Sequence, residues 1–196
     1  MMLFGNALSP GICEEIIEFG EALDKRGLLQ KGQTVNGVNE EIKATEDWIV
    51  GTDMHGITPE DASYMSYFDR HIYSAVSECF TSYSKNYSTL STWTDIWDSG
   101  YRVQRYRAGH GFYKPHIDGA PWIRDRASKR VVAVIIYLNT IENGGCTRFE
   151  MQEIDVQPVA GSLLMFPATW THPHESTVSP DQDKWVISSF MTTEQI

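Results

Sequence analysis

The run "VVAVIIYL", residues 131–138, constrains the fold of this chain more than any other stretch. It is apolar at nearly every position and rich in β-branched residues. That pattern fits a strand covered on both faces, since a half-covered strand would alternate. Such a strand needs one layer above it and another below.

The flanking sequence supplies material for both layers. From residue 100 onward, short strand-like runs are divided by Gly, Pro, Asn and Asp: "YRVQRYRAG", "YKPHID", "CTRFEM", "SLLMFP" and "KWVISSFM". "ENGG", residues 142–145, carries a hairpin-turn signal. Upstream, "LSPGICEEIIEFGEAL" reads as a helix. Ser9 caps it, Pro10 suits its first turn, Glu14 and Glu15 suit its positive end, and Ile12, Ile16, Phe19 and Leu23 form its apolar stripe. Residues 28–58 are polar and read as strands joined by loops. "TPED" then opens a second helix over residues 59–86, with Tyr64, Tyr67, Phe68, His71, Ile72, Ala75, Val76, Cys79, Phe80 and Tyr83 at helical spacing. His71 on that stripe is expected to be a core histidine, and the aromatic stripe a packing face rather than a ligand face.

The expected architecture is α+β, with helices buttressing a β-sandwich or small barrel. One domain spans 1–196, with 1–100 as a helical and strand support region and 101–191 as the functional core. A chain of 196 residues with 41% apolar and 21% charged residues is long enough for one sizeable core. The net charge of −10 argues against a nucleic-acid backbone as partner, which needs a basic surface. Cys13, Cys79 and Cys146 are odd in number and lack CxxC spacing, which fits reduced thiols in a cytoplasmic protein. No signal segment and no membrane span are expected.

Within "YKPHID", His116 and Asp118 lie two apart on a strand, so their side chains share a face and can reach one ion. A third ligand can come from "THPHESTV", through His172 or His174. Two histidines and one carboxylate make the donor set for a non-heme Fe(II) centre that leaves coordination positions open.

Residues 101–191 resemble the 2-oxoglutarate- and Fe(II)-dependent dioxygenases, in particular their prolyl 4-hydroxylase-like branch. Four motifs carry the likeness in order: "HID" at 116–118, "YLNTIENGGCTRF" at 137–149, "GSLLMFP" at 161–167 and "HESTVSPDQDKWVISSF" at 174–190. The resemblance implies a double-stranded β-helix, or jelly-roll, core with iron on His116, Asp118 and His174. His174 is preferred over His172 because it stands ten residues before Lys184, as in the family. Lys184 would pair with the distal carboxylate of 2-oxoglutarate and Tyr137 would support it. Thr147 and Tyr106 are further candidate contacts, for which plain strand packing is an equal reading. Tyr113 and Trp122 would flank the substrate mouth, and the loops at 28–58 and 119–129 would carry specificity.

The implied activity is hydroxylation of a substrate C–H, most simply a prolyl residue of a peptide or protein, as in procollagen-proline 4-dioxygenases. O2 is consumed, 2-oxoglutarate becomes succinate, and ascorbate serves as reductant. A free amino acid or small metabolite is the rival substrate. A cupin-like metal-binding module without co-substrate, or a silent peptide-binding module, is the rival class.

Overall fold

The computed structural model describes residues 1–51, 54–87, 89–93, 95–119 and 129–194. Two helices stand among them. The first, α1, runs Pro10–Lys25. Ser9 is extended before it and its Oγ accepts from the Ile12 N–H at 3.4 Å. The second, α2, runs Pro59–Lys85 behind a reciprocal capping box. The Asp61 N–H donates to Thr58 Oγ1 at 3.1 Å, and the Thr58 N–H to Asp61 Oδ2 at 2.7 Å. Arg26, just past α1, clamps the same Asp61 at 2.9–3.0 Å, which links the end of one helix to the start of the other.

The inward face of α2 is Met65, Phe68, Ile72, Ala75, Val76, Cys79 and Tyr83. His71 is not in the core. It is exposed, one step from Ile72 and therefore about 100° round the helix, with its ring edge-on to Tyr67. Tyr64 is also exposed, lying against Phe19 and Phe68. No helix among the described residues is long and apolar enough to cross a membrane.

The described residues form fifteen strands, numbered in chain order. The first seven are β1 (Met2–Phe4), β2 (Gln30–Lys31), β3 (Gln33–Thr34), β4 (Gly37–Val38), β5 (Lys43–Ala44), β6 (Glu46–Val50) and β7 (Trp97–Asp98). The rest are β8 (Tyr101–Tyr106), β9 (Phe112–His116), β10 (Arg130–Tyr137), β11 (Thr147–Phe149), β12 (Ile154–Val156), β13 (Leu163–Pro167), β14 (His174–Ser176) and β15 (Lys184–Thr192). The major sheet is ordered β1-β13-β10-β15-β8-β6-β2, with β7 also on β15. The minor sheet is ordered β12-β11-β14-β9-β5, and β3 and β4 form a separate hairpin. All pairings are antiparallel.

The apolar run identified from the sequence is β10, at the centre of the major sheet between β13 and β15. Its Val132, Val134, Ile136 and the following Leu138 join the helices in the larger core, with Trp48, Phe68, Ile72, Val103 and Ile187. Its Ala133 and Tyr137 face the other way, into a smaller cluster with Phe149, Val156, Phe166 and Val186 that joins the two sheets. The first hundred residues are more than a support, since β1 and β6 extend the major sheet and β5 the minor one.

Two local expectations are corrected. "ENGG" is not a hairpin turn: β10 before it lies in the major sheet and β11 after it in the minor one. Gly144 and Gly145, at φ +64° and +63°, turn the chain from one sheet to the other in a conformation that side-chained residues rarely take. Also, β9 ends at His116, so Asp118 stands just beyond the strand rather than inside it.

Candidate functional site

A cavity of about 420 Å³ opens between the two sheets. His116, at the end of β9, is in register with His174, at the start of β14. Asp118 folds back beside them, where the Gly119 N–H is held by the Ala168 carbonyl at 2.6 Å. Arg130 also donates to the Asp118 carbonyl at 3.1 Å. One donor atom from each of His116, Asp118 and His174 lies within 4.8 Å of the other two.

Backbone carbonyls fix the tautomers. His116 Nδ1 lies 2.8 Å from the Lys114 carbonyl and His174 Nδ1 3.1 Å from that of His172. A carbonyl only accepts, so each Nδ1 carries the proton and each Nε2 presents a lone pair. Those two Nε2 atoms lie 3.5 Å from Oδ1 and Oδ2 of Asp118. Burial pushes the His174 pKa down to about 4, so it is neutral at pH 7. Burial acts to raise the Asp118 carboxyl, but the facing imidazoles and Arg130 outweigh it and hold it at about 2. Two imidazole Nε2 atoms and a carboxylate therefore converge on one point. That is the electrostatic need of a cation, and the donor set suits Fe(II).

Aromatic rings hold the imidazoles. Tyr113 stacks on His116 with centroids 3.5 Å apart, while Phe149 and Phe166 flank His174 at 5.5 and 4.7 Å. His172 lies outside the cluster. Its Nδ1 is 2.9 Å from Thr171 Oγ1, and burial lowers its pKa. Its contribution is the carbonyl that orients His174.

Lys184 opens β15, opposite Tyr106 on β8, with 1% of its surface exposed. Its Nζ donates to the Gly145 carbonyl at 2.9 Å and to Ser176 Oγ, and lies 4.2 Å from the Tyr106 ring centroid. No carboxylate among the described residues pairs with it. Burial pushes its pKa down to about 7. A buried ammonium held only by neutral groups calls for an anionic ligand.

The remaining residues expected at the co-substrate divide by position. Tyr106 and Thr147 line the cavity. Tyr137 is fully buried and does not line it; its hydroxyl donates to Thr147 Oγ1 at 2.7 Å. Burial raises both phenols, Tyr106 and Tyr137. Tyr113 lines the cavity, while Trp122 and the other residues of 120–128, in the loop expected to carry specificity, lie outside the described residues.

Sequence reasoning missed several contributors. Asn139 accepts from the Trp185 N–H and donates to the Asp183 carbonyl, both at 2.8 Å, so it clips the backbone on either side of Lys184. Ser176 could have been found, because it is two residues after His174 on the same strand face. The meeting of Arg102 with Lys43 and Asp47 could not, since nothing local links positions 55 or more residues apart.

Comparison with known proteins agrees with this geometry. Residues 101–192 match the family model described as the 2OG-Fe(II) oxygenase superfamily. The human prolyl 4-hydroxylase subunit alpha-3 is 30% identical over a 106-residue alignment that covers 46% of this chain and 19% of that protein. The chain thus matches about a fifth of the length of this curated relative. A Trichoplax adhaerens prolyl hydroxylase, solved with a hypoxia inducible factor peptide fragment, superposes with a TM-score of 0.73. It is 22% identical, and the likeness covers 98% of this chain and 83% of that one. A Pseudomonas putida prolyl-4-hydroxylase gives 0.63 at 21% identity, over 97% of this chain and 91% of that one. A viral collagen prolyl hydroxylase from Paramecium Bursaria Chlorella virus-1 gives 0.68 at 16%, over 99% and 96%. At these identities the solved structures speak for the jelly-roll fold. Residues 101–192 are thus similar to the 2OG-Fe(II) oxygenase superfamily and, within it, to the prolyl 4-hydroxylases.

Proposed function

We propose that this protein hydroxylates a prolyl residue of a peptide or protein. One atom of O2 enters the substrate C–H bond, and the other enters succinate as 2-oxoglutarate loses carbon dioxide. The observation that carries the reading is Lys184: a buried amine with no counter-anion among the described residues, lining the same cavity as three converging metal donors. In this reading His116, Asp118 and His174 hold Fe(II), and Lys184 receives the distal carboxylate of 2-oxoglutarate. Thr147 and Tyr106 line that end, and Tyr137 acts through Thr147 by fixing its hydroxyl.

Iron and co-substrate, when bound, supply the oxidising chemistry. The chain positions and shields. Carbonyl-fixed imidazoles aim the metal donors, flanking rings exclude water, and a pre-formed lysine orients the dicarboxylate without reorganisation. Ascorbate is the expected reductant, and the buried free cysteines fit a cytoplasmic setting. The prolyl choice is supported by the human relative and by the peptide in the Trichoplax structure. A free amino acid or small metabolite would use the same machinery. A metal-holding module without co-substrate would leave Lys184 without an anionic partner among the described residues.

Succinate release from 2-oxoglutarate with Fe(II) tests the reading, followed by a mass-shift screen of a proline-containing peptide library. His174→Ala and Lys184→Ala should abolish turnover, whereas His172→Ala should retain iron. Wild-type turnover in the first two variants would refute the site, and iron loss in His172→Ala alone would move the third ligand.

A further inference from the structure

The cavity is more basic than the chain around it. Its lining carries Lys43, Arg102, Arg130 and Lys184 against two carboxylates, Asp118 and Glu175, although the chain as a whole carries −10. Asp118 is committed to the two imidazoles, and Glu175 is turned to Arg148 at 3.4 Å. Positive charge therefore remains on the wall, and it is concentrated away from Lys184.

Arg102 and Lys43 meet at Asp47, a fully buried carboxylate on β6. Asp47 accepts from Thr45 Oγ1 at 2.7 Å, from Lys43 Nζ at 3.2 Å and from Gln104 Nε2 at 3.4 Å. Those three partners take three of the carboxylate's roughly four acceptor positions. Arg102 Nη1 lies farther off, at 3.7 Å, an ion pair too long for a hydrogen bond and the one charged contact of this side chain among the described residues. Its side chain is about a third exposed and lines the cavity. A guanidinium carries five N–H donors in a planar fork, and none of those of Arg102 makes a hydrogen bond among the described residues. Lys43 Nζ also lies 5.3 Å from the ring of Tyr113, which stacks on His116, so the cluster adjoins the metal donors.

Position separates this cluster from the co-substrate end. Arg102, Gln104 and Tyr106 alternate on one face of β8, opposite Ser188, Val186 and Lys184 of β15. Four residues of strand place Arg102 about 13 Å along β8 from the Lys184 row. An anion at Arg102 therefore belongs to a different molecule from one at Lys184.

We infer that Arg102, backed by Lys43 and Asp47, is a recognition point for a carboxylate on the primary substrate. The inference rests on the proposed hydroxylase reading and deepens it by naming a charge class: substrates bearing an acidic group near the reacting carbon. That group is a Glu or Asp side chain in a peptide, or the α-carboxylate of a free amino acid.

Binding to the full chain, with Mn(II) and saturating 2-oxoglutarate, separates these sources. The peptide arm uses acetylated and amidated pentapeptides with central proline, in which Glu, Gln or Lys is walked through the other positions. The small-molecule arm compares L-proline with L-prolinamide. The carboxylate probe of one arm should bind about tenfold tighter than its uncharged counterpart, a difference of about 1.4 kcal/mol. Arg102→Gln should erase that preference, Arg102→Lys should keep part of it, and Arg102→Glu should favour the Lys peptides. Thermal melts show whether each variant is folded, and Arg102→Lys keeps the charge if the reversal proves disruptive. A preference confined to L-proline supports the subsite and overturns the peptidyl reading. No preference in either arm, or an unchanged preference in folded Arg102→Gln, overturns the inference.

Discussion

2-Oxoglutarate should bind progressively more weakly above neutral pH, because Lys184 must be charged to receive it. Burial holds the Lys184 pKa at about 7 in the free protein, whereas a carboxylate at Nζ would restore the proton's affinity. The free protein therefore loses the proton as pH rises through about 7, and the complex keeps it. Each pH unit above that point costs about 1.4 kcal/mol, so Kd should climb about tenfold per unit. The two metal donors with resolved shifts lie below this window, Asp118 at about 2 and His174 at about 4. Titration calorimetry of the Mn(II)-loaded protein from pH 6 to 9, in two buffers of different ionisation enthalpy, reads both quantities. Proton uptake should approach one per ligand at the upper end. Lys184→Arg carries a guanidinium that stays charged throughout, so its pH profile should be flat whatever its affinity. A flat profile in the wild type, or an equal slope in Lys184→Arg, would refute the argument.

Three other outcomes follow from the same structure. Because the folded-state Lys184 pKa is depressed, the unfolded chain binds more protons between about pH 7 and 10, so stability without ligand should rise with pH across that window. Lys184→Met should accordingly raise the melting temperature more at pH 6 than at pH 9 while abolishing 2-oxoglutarate binding, checked by calorimetry at both pH values. Asn139→Ala removes both clips beside Lys184 and should weaken 2-oxoglutarate binding while leaving metal affinity unchanged, measured by separate titrations of the two. Gly20→Ala should destabilise by about 1–3 kcal/mol in urea melts despite alanine's better helix propensity, because the new methyl would run into the Trp185 and Trp48 rings.

The sequence made legible those features whose physics is local. Period and punctuation gave β10 its central place, and the Ser9 and Thr58 caps set both helix starts. Spacing by two put His116 and Asp118 on one side of the chain, even though the strand stops between them. What stayed hidden depends on contacts between distant segments. "ENGG" has the composition of a hairpin turn, but whether such a turn joins neighbours or crosses between sheets depends on where β11 finds its partners. His71 obeys the helical stripe to within one residue, and one residue is 100° of rotation, enough to move a side chain from core to solvent. Asp47 and Arg102 sit 55 positions apart in a polar segment and a strand, and only the pairing of β6 with β8 makes them neighbours.

The arrangement also explains why the cavity can be so polar. Its wall holds the buried Lys184 amine, and behind that wall lies the buried Asp47 carboxylate, each costly to desolvate. The major sheet separates these groups from the larger core, where α1 and α2 cover Val132, Val134, Ile136, Val103 and Ile187 on the opposite face. Alternation along β8, β10 and β15 keeps the two environments a single residue apart without mixing them. Stability therefore resides on the helix side and chemistry on the other. Substitutions in the cavity should change ligand binding far more than folding, and those beneath the helices should do the reverse, with Tyr137 and Phe149 as the exceptions because they lie in the small cluster that ties the two sheets together.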